Sequence, residues 1–235
     1  MSREVLLEDL GRMPYRQAWD YQEQLLERLQ RYKLAGEGQQ LPPEPAGYFL
    51  FVEHPHVYTL GKSGDRHNLL IPPEKMEQEQ IEFYHTNRGG DITYHGPGQI
   101  VGYPILDLDA LGTGIKKYIH LLEETIIRVT GEYGLAASRL ERATGVWLHT
   151  GPGERPEKIC AIGVRVSRGV TMHGFAFNVA TDLRYFDYIN PCGFTDKGVT
   201  SLAKETGEET GMEEVKGKVI KAFSEVFEVH VRDKE

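Results

Sequence analysis

The chain has 235 residues, 40% of them hydrophobic and 26% charged, with a formal net charge of −8. This composition excludes a disordered or fibrous chain and describes one that can bury a core without disulfides or metal; the negative balance excludes nucleic acid as the main partner, since phosphate binding needs lysine and arginine in excess. No apolar run approaches the roughly 20 residues that span a bilayer, so no membrane partner is expected, and two cysteines without a secretory leader point to a reducing cytoplasm.

Residues 5–10 read as an opening strand. Tyr15, Trp19, Gln22, Leu26, Leu29 and Tyr32 then recur near helical spacing with charged residues between them, which predicts an amphipathic helix. Residues 36–45, rich in Gly, Gln and Pro, break it and predict an exposed connection. Short β-branched and apolar segments at 48–53, 57–60, 81–86, 92–94 and 99–108, separated by Gly/Pro turns, predict strands. A second helix is predicted from Thr113 as N-cap, through Ile115, Ile119, Leu122, Ile126 and Val129 on one face, to Gly134. Residues 146–149, 159–166 and 171–178 predict a further strand group, Val215, Val219, Phe223 and Phe227 a closing helix, and 228–231 a last strand. Strands grouped between segregated helices imply an α+β fold: one domain, 1–235, with a mixed β-sheet flanked by helices on its outer face.

The densest glycine cluster is Arg88, Gly89, Gly90, Asp91, Ile92, Thr93, Tyr94 and His95, continued by Gly96, Pro97, Gly98 and Gln99. Glycine lets backbone approach a ligand and leaves N–H groups to donate, whereas a plain pair of hairpin turns has no use for the Arg, Thr, Tyr and His found here. No G-x-x-x-x-G-K-[ST] occurs and no G-x-G-x-x-G opens a helix, which counts against nucleotide-dependent activation. Neither a metal nor a cofactor is expected.

The two cysteines differ in context. Cys160 lies in an apolar strand-like run, where a thiol behaves as a small inert hydrophobe; Cys192, between Pro191 and Gly193, sits in an enforced loop that keeps a thiol accessible. A nucleophilic cysteine needs a neighbouring base or cation, and His95, His173 and Lys158 are the candidates. Spacing along the chain does not choose among them, because such pairs meet in space.

The stretch from Arg88 to Gln99 closely resembles the signature of the octanoyltransferase family, and four further stretches agree with it. These are Glu53-His54-Pro55 with Val57-Tyr58-Thr59-Leu60-Gly61-Lys62; Lys158-Ile159 followed by Ala161-Ile162-Gly163; His173-Gly174-Phe175-Ala176-Phe177-Asn178; and Pro191-Cys192-Gly193. The resemblance implies the fold of the biotin and lipoate ligases, with Cys192 carrying the acyl group as a thioester and Lys158 activating it. It also implies a substrate pocket lined by Arg88, Gly89, Gly90, Asp91, Ile92, Thr93, Tyr94 and His95, by Ala161, Ile162 and Gly163, and by Gly174, Phe175 and Ala176. The implied donor is octanoyl-acyl carrier protein. The implied acceptors are lipoyl domains of 2-oxoacid dehydrogenase E2 subunits and the glycine cleavage H protein. A thioester donor is already activated, which accounts for the missing nucleotide loop.

Two expectations accompany this. Ile162, Phe175 and Phe177 line an acyl channel, with backbone N–H groups of the glycine-rich segments facing the oxyanion. Lys62, Arg66, Arg165, Arg168 and Lys197 gather positive charge near the site to receive an acidic carrier. Two rivals stay open on sequence: an ATP-dependent lipoate or biotin ligase of the same fold, and a non-catalytic acyl- or lipoyl-domain-binding module.

Overall fold

The structure, a computed structural model, describes residues 3–35, 45–190, 197–208 and 210–234. The elements in chain order are β1 (Glu4–Arg12), α1 (Tyr15–Ala35), β2 (Gly47–Glu53), β3 (Val57–Leu60), α2 (Pro73–Gln78), β4 (Glu82–His85), β5 (Ile92–His95), β6 (Gln99–Leu106), α3 (Ile115–Glu132), β7 (Ser138–Leu140), β8 (Ala143–Leu148), β9 (Glu157–Ser167), β10 (Val170–Asn178), β11 (Gly198–Val199), α4 (Leu202–Thr206), α5 (Met212–Phe227) and β12 (His230–Asp233). Short 3-10 turns occupy Arg66–Asn68 and Leu183–Tyr188.

A nine-stranded sheet runs β12-β1-β2-β6-β10-β9-β8-β7, with β11 pairing β9 from outside that path, and a three-stranded sheet runs β4-β3-β5. The large sheet is mixed: β1 is parallel to β12 and β2, while β2, β6, β10, β9 and β8 alternate antiparallel. Every residue of β6 and β10 is buried, the pattern of strands covered on both faces. One face receives α1, whose Ala18, Leu25, Leu26 and Leu29 meet Tyr48, Leu50, Val101 and Met172. The other receives α3 and α5, where Leu122, Ile126, Val129, Val219 and Phe223 pack on Phe49, Phe51 and Phe177. Burying a side chain of this size contributes about 1.5–3 kcal/mol, against about 0–1 kcal/mol for an exposed ion pair, so this packing and not the surface charge holds the sheet.

The α+β class and mixed, helix-flanked sheet are as expected, but helices cover both faces, not the outer one alone. Periodicity tells which side a helix buries, not which face of the sheet receives it. The cap of α3 is Gly114, not Thr113, whose buried hydroxyl accepts from no N–H of the first turn. The last strand starts at His230, not at 228, because Glu228 takes a left-handed φ of 53° to end α5. The elements α2, α4, β7 and β11 are too short to leave a period in the sequence. Of the expected connection at 36–45, residues 36–44 lie outside the described residues.

Candidate active site

The strands β9 and β10 form a hairpin whose turn places Arg168 at φ 51° and Gly169 at φ 78°, the left-handed pair that matches the twist of the flanking strands. The register sets Gly174 opposite Gly163, Phe175 opposite Ile162 and Ala176 opposite Ala161, so two of the expected pocket segments are cross-strand neighbours. A Cβ at Gly174 would fall 2.1 Å from the Gly102 carbonyl oxygen, so only glycine lets β10 lie this close to β6.

A cavity of about 280 Å³ opens against this hairpin. It is lined by Arg88, Gly90, Asp91, Ile92, Thr93 and His95, by Ala161, Ile162 and Gly163, by Gly174, Phe175 and Ala176, and by Lys158. Two expected residues do not line it. Gly89 is tied back to β9, its N–H donating to the Val164 carbonyl at 2.9 Å, so that donor is not offered to an oxyanion. Tyr94 is buried beneath the wall, its hydroxyl 2.7 Å from His56 Nδ1 and its ring stacked on Tyr185 at 5.0 Å. Ile162 and Phe175 reach the cavity, but Phe177, also expected there, belongs to the core under α3 and α5.

A chain of buried hydrogen bonds runs behind the cavity. The Arg88 guanidinium donates to the Thr59 carbonyl at 2.6 Å and the Thr59 hydroxyl at 2.9 Å. The Gln99 amide nitrogen donates to Asn178 Oδ1 at 2.9 Å and to the Tyr94 carbonyl at 3.2 Å, which turns its oxygen toward His95 Nδ1, 2.8 Å away. His95 therefore carries its proton on Nδ1, and Nε2 accepts from the Thr59 hydroxyl at 3.3 Å. Asn178 Nδ2 donates to the Thr200 carbonyl at 3.0 Å, and the Thr200 N–H to the Lys158 carbonyl at 3.0 Å. The glycine-rich segment and the strand carrying Lys158 are thus joined without a charged pair.

Burial fixes the protonation of the histidines here. His95 is held well below the ordinary imidazole range by burial and by the neighbouring His54, against the pull of Gln99. His173 is pushed down to about 3 by burial and by the nearby Arg88 and Arg165. His54 is pushed down to about 4 by burial, although its bond to the Met13 carbonyl opposes this. All are neutral at pH 7, and a histidine with so acidic a conjugate acid is a poor proton acceptor. His173 is also fixed in place, with φ 60°, its N–H given to Gln22 Oε1 at 2.9 Å and its Nε2 2.7 Å from Asn87 Oδ1.

Lys158 stands on β9 opposite Trp147 on β8, its ammonium 4.6 Å from the indole ring centre, a cation–π distance. Gly145, at φ 126°, lets β8 lie close to β9 here: a Cβ there would fall 2.6 Å from the Cys160 carbonyl oxygen, and the Lys158 stem runs past it at 3.4 Å. A second, outer cavity of about 720 Å³ shares Lys158, Phe186 and Val199 with the first, inner one, so the lysine lines both. Cys160 is fully buried, and its thiol is pushed far above the ordinary range by burial, which outweighs the nearby Lys158. Cys192, with Pro191 and Gly193, lies outside the described residues. On either side of that stretch, Asn190 and Lys197 line the outer cavity, and Gly198 and Val199 pair with Glu157 and Lys158. Of the basic residues expected near the site, Lys197 lines the outer cavity; Lys62, Arg66, Arg165 and Arg168 line neither.

Several cavity residues were not singled out from sequence. Gln99 and Asn178 stood inside quoted motifs, which was signal enough. Tyr15 and Tyr103 read as ordinary core positions of a helix and a strand, and Arg142, Thr144, Phe186 and Val199 carried no pattern at all.

The fold is the one shared by solved lipoate and biotin protein ligases. The bipartite lipoate protein ligase of Thermoplasma acidophilum superposes with a TM-score of 0.66 at 17% identity, covering 99% of this chain and 86% of that one. The biotin protein ligase of Aquifex aeolicus, solved with biotin and ATP, gives 0.53 at 15%, covering 95% and 70%. A family model described as the lipoyl protein ligase A/B catalytic domain matches residues 14–224. The octanoyltransferase of Flavobacterium johnsoniae is 54% identical over 98% of this chain and 100% of its own length, and that of Bacteroides fragilis 55% over 87% and 89%. The chain belongs to the lipoyl protein ligase A/B family and, within it, to the octanoyltransferases; it is an acyltransferase. Among the described residues no helix is long and apolar enough to cross a membrane.

Proposed function

We propose that the chain, acting as one catalytic domain in the cytoplasm, moves octanoyl from an acyl carrier protein to lysines of lipoyl domains through a thioester on Cys192, the first step of endogenous lipoate synthesis. What supports this reading is the position of Lys158 on the wall shared by the two cavities, where it pairs with Val199, seven residues after Cys192 in the chain. The cycle is ping-pong. Cys192, as thiolate beside the Lys158 ammonium, attacks the thioester carbonyl; the tetrahedral intermediate expels the pantetheine thiolate, which takes the lysine's proton. The neutral ε-amine of the acceptor then attacks the acyl-enzyme, Cys192 leaves as thiolate, and Lys158 takes the proton lost by the new amide.

The histidines contribute position, not proton transfer, since burial keeps His95 and His173 neutral. Cys160 is unsuited to attack because burial holds its proton on. The acyl chain occupies the inner cavity between Ile92, Ile162 and Phe175. Each buried methylene contributes about 0.8 kcal/mol, so chain-length preference is set by where that cavity ends and not by affinity alone.

Intact-protein mass spectrometry after incubation with octanoyl-carrier tests the proposal. One octanoyl group on Cys192, discharged when lipoyl domain is added, is the expected result. No adduct in the unaltered protein, or unimpaired transfer by Cys192→Ser, overturns it.

A further inference from the structure

The outer cavity borders the strand that carries Lys158, yet nothing in acyl binding uses it. Its wall bears Arg155, Lys158, Arg184, Lys197 and Lys204 against Glu157 and Asp187, a cationic concavity in a chain whose net charge is −8. Lys204 is paired with Glu157 at 3.0 Å and Arg184 with Asp182 at 2.6 Å. The Arg155 guanidinium donates to the Lys197 carbonyl at 2.9 Å, which brings two cationic residues to one rim. A wall bearing five cationic side chains against two carboxylates favours an anion over a neutral group.

We infer that Arg155 and Lys197 form a subsite for the phosphodiester of the donor's pantetheine arm. The inference rests on the proposed function. If the acyl chain lies in the inner cavity and its carbonyl stands beside Lys158, the remainder of the thioester leaves through the space that shares Lys158 with it, and that is the outer cavity. A phosphodiester is the one permanent charge on such an arm. Guanidinium and ammonium donors meet it with charge-assisted hydrogen bonds, and the partly exposed rim leaves room for the macromolecule beyond.

The test compares two small thioesters that differ only in a phosphate, octanoyl-phosphopantetheine, whose phosphomonoester stands in for the carrier's phosphodiester, and octanoyl-pantetheine, by the rate at which each acylates the full-length protein. The unaltered protein prefers the phosphorylated thioester in kcat/KM. In the double variant Arg155→Gln, Lys197→Gln the preference ratio falls about tenfold, the size of one lost charge-assisted hydrogen bond. The ratio carries the test, because a variant that merely folds less well slows both thioesters together. Lys117→Gln, on α3, which lines neither cavity, removes the same charge and leaves the ratio as it was. No preference in the unaltered protein, or an unchanged ratio in the double variant, overturns the inference. So does a double variant acylated with the normal ratio but slowed in discharge to lipoyl domain, which assigns the cavity to the acceptor. If neither thioester acylates the unaltered protein, the function reading itself fails, an outcome distinct from all of these.

Discussion

The two cavities that meet at Lys158 are built on opposite electrostatic plans. Around the inner one, Arg88, His95, Gln99 and Asn178 are 7%, 6%, 1% and 3% exposed, and each is bonded to neutral carbonyl, hydroxyl, amide or imidazole groups. Around the outer one, polar groups stay partly in water and are paired as ions, Lys204 with Glu157 and Arg184 with Asp182. Burial penalises charge and favours hydrogen bonding, so the inner region holds neutral imidazoles in fixed positions and ties its one buried guanidinium, Arg88, to the Thr59 carbonyl and hydroxyl. Solvent screens charge, so the outer region keeps its ions but holds them loosely. A lysine between the two is exposed to both rules, and the proposed chemistry needs a group that gives and regains a proton.

The largest expected effects break that division. Cys192→Ser abolishes octanoyl transfer, whereas Cys160→Ser keeps the specific activity of the folded protein and lowers its melting temperature, because a buried hydroxyl replaces an inert thiol. Transfer assays and thermal scans on both variants check this; an active Cys192→Ser beside an inactive Cys160→Ser would exchange their roles. Lys158→Ala lowers acylation by roughly 10²–10⁴, and Lys158→Arg recovers only part of it, since guanidinium does not give up its proton and has another shape. Single-turnover acylation and the pH profile of Cys192 alkylation are the readouts, and a normal rate with an unmoved profile would remove Lys158 from the mechanism.

The inner network should fail as a unit. Asn178→Leu leaves the Thr200 carbonyl and the Gln99 amide nitrogen each short of a buried partner, at about 1–3 kcal/mol apiece, and about 2–4 °C of melting temperature is lost per kcal/mol. A melting point within a degree of the unaltered protein would mean that the chain of bonds does not couple these strands.

Acid should find the same region. The folded-state values of His54, His95 and His173 are depressed, so the unfolded chain binds more protons than the folded one at mildly acid pH. Their neutral burial costs nothing above the unfolded histidine value near 6.5. Below it, stability falls with falling pH, down toward 3–4 for His173 and His54, by at most about 1.4 kcal/mol per pH unit for each group. Chemical denaturation at pH 7 and pH 5 measures it, and equal stability at the two values would show that these imidazoles titrate normally. The smallest effect belongs to the outer region: kcat/KM for octanoyl-carrier falls with added salt, as the Debye length shrinks to about 8 Å at physiological ionic strength, while a neutral octanoyl thioester responds little. Equal salt dependence for the two would show that these charges do not steer the carrier.

Much of the molecule was legible in the residues themselves. Alternation and helical periods located the central strands and α1, α3 and α5, because a side chain's repeat along an element is set by local backbone geometry. The motifs named most of the inner cavity's wall, since glycines that must admit a neighbouring backbone, as Gly174 does beside Gly102, leave a recognisable run. Only tertiary structure decided that helices cover both faces of the sheet, that Phe175 meets the cavity while Phe177, in the same core, does not, and that Gly89 and Tyr94 support the wall without lining it. It also decided that a tyrosine from α1 and a phenylalanine from a 3-10 turn join the site, and that Lys158 lies where two cavities touch. Those outcomes depend on which elements are pressed together and how deeply, and burial, the quantity that neutralises the histidines and silences Cys160, belongs to no residue until its neighbours arrive.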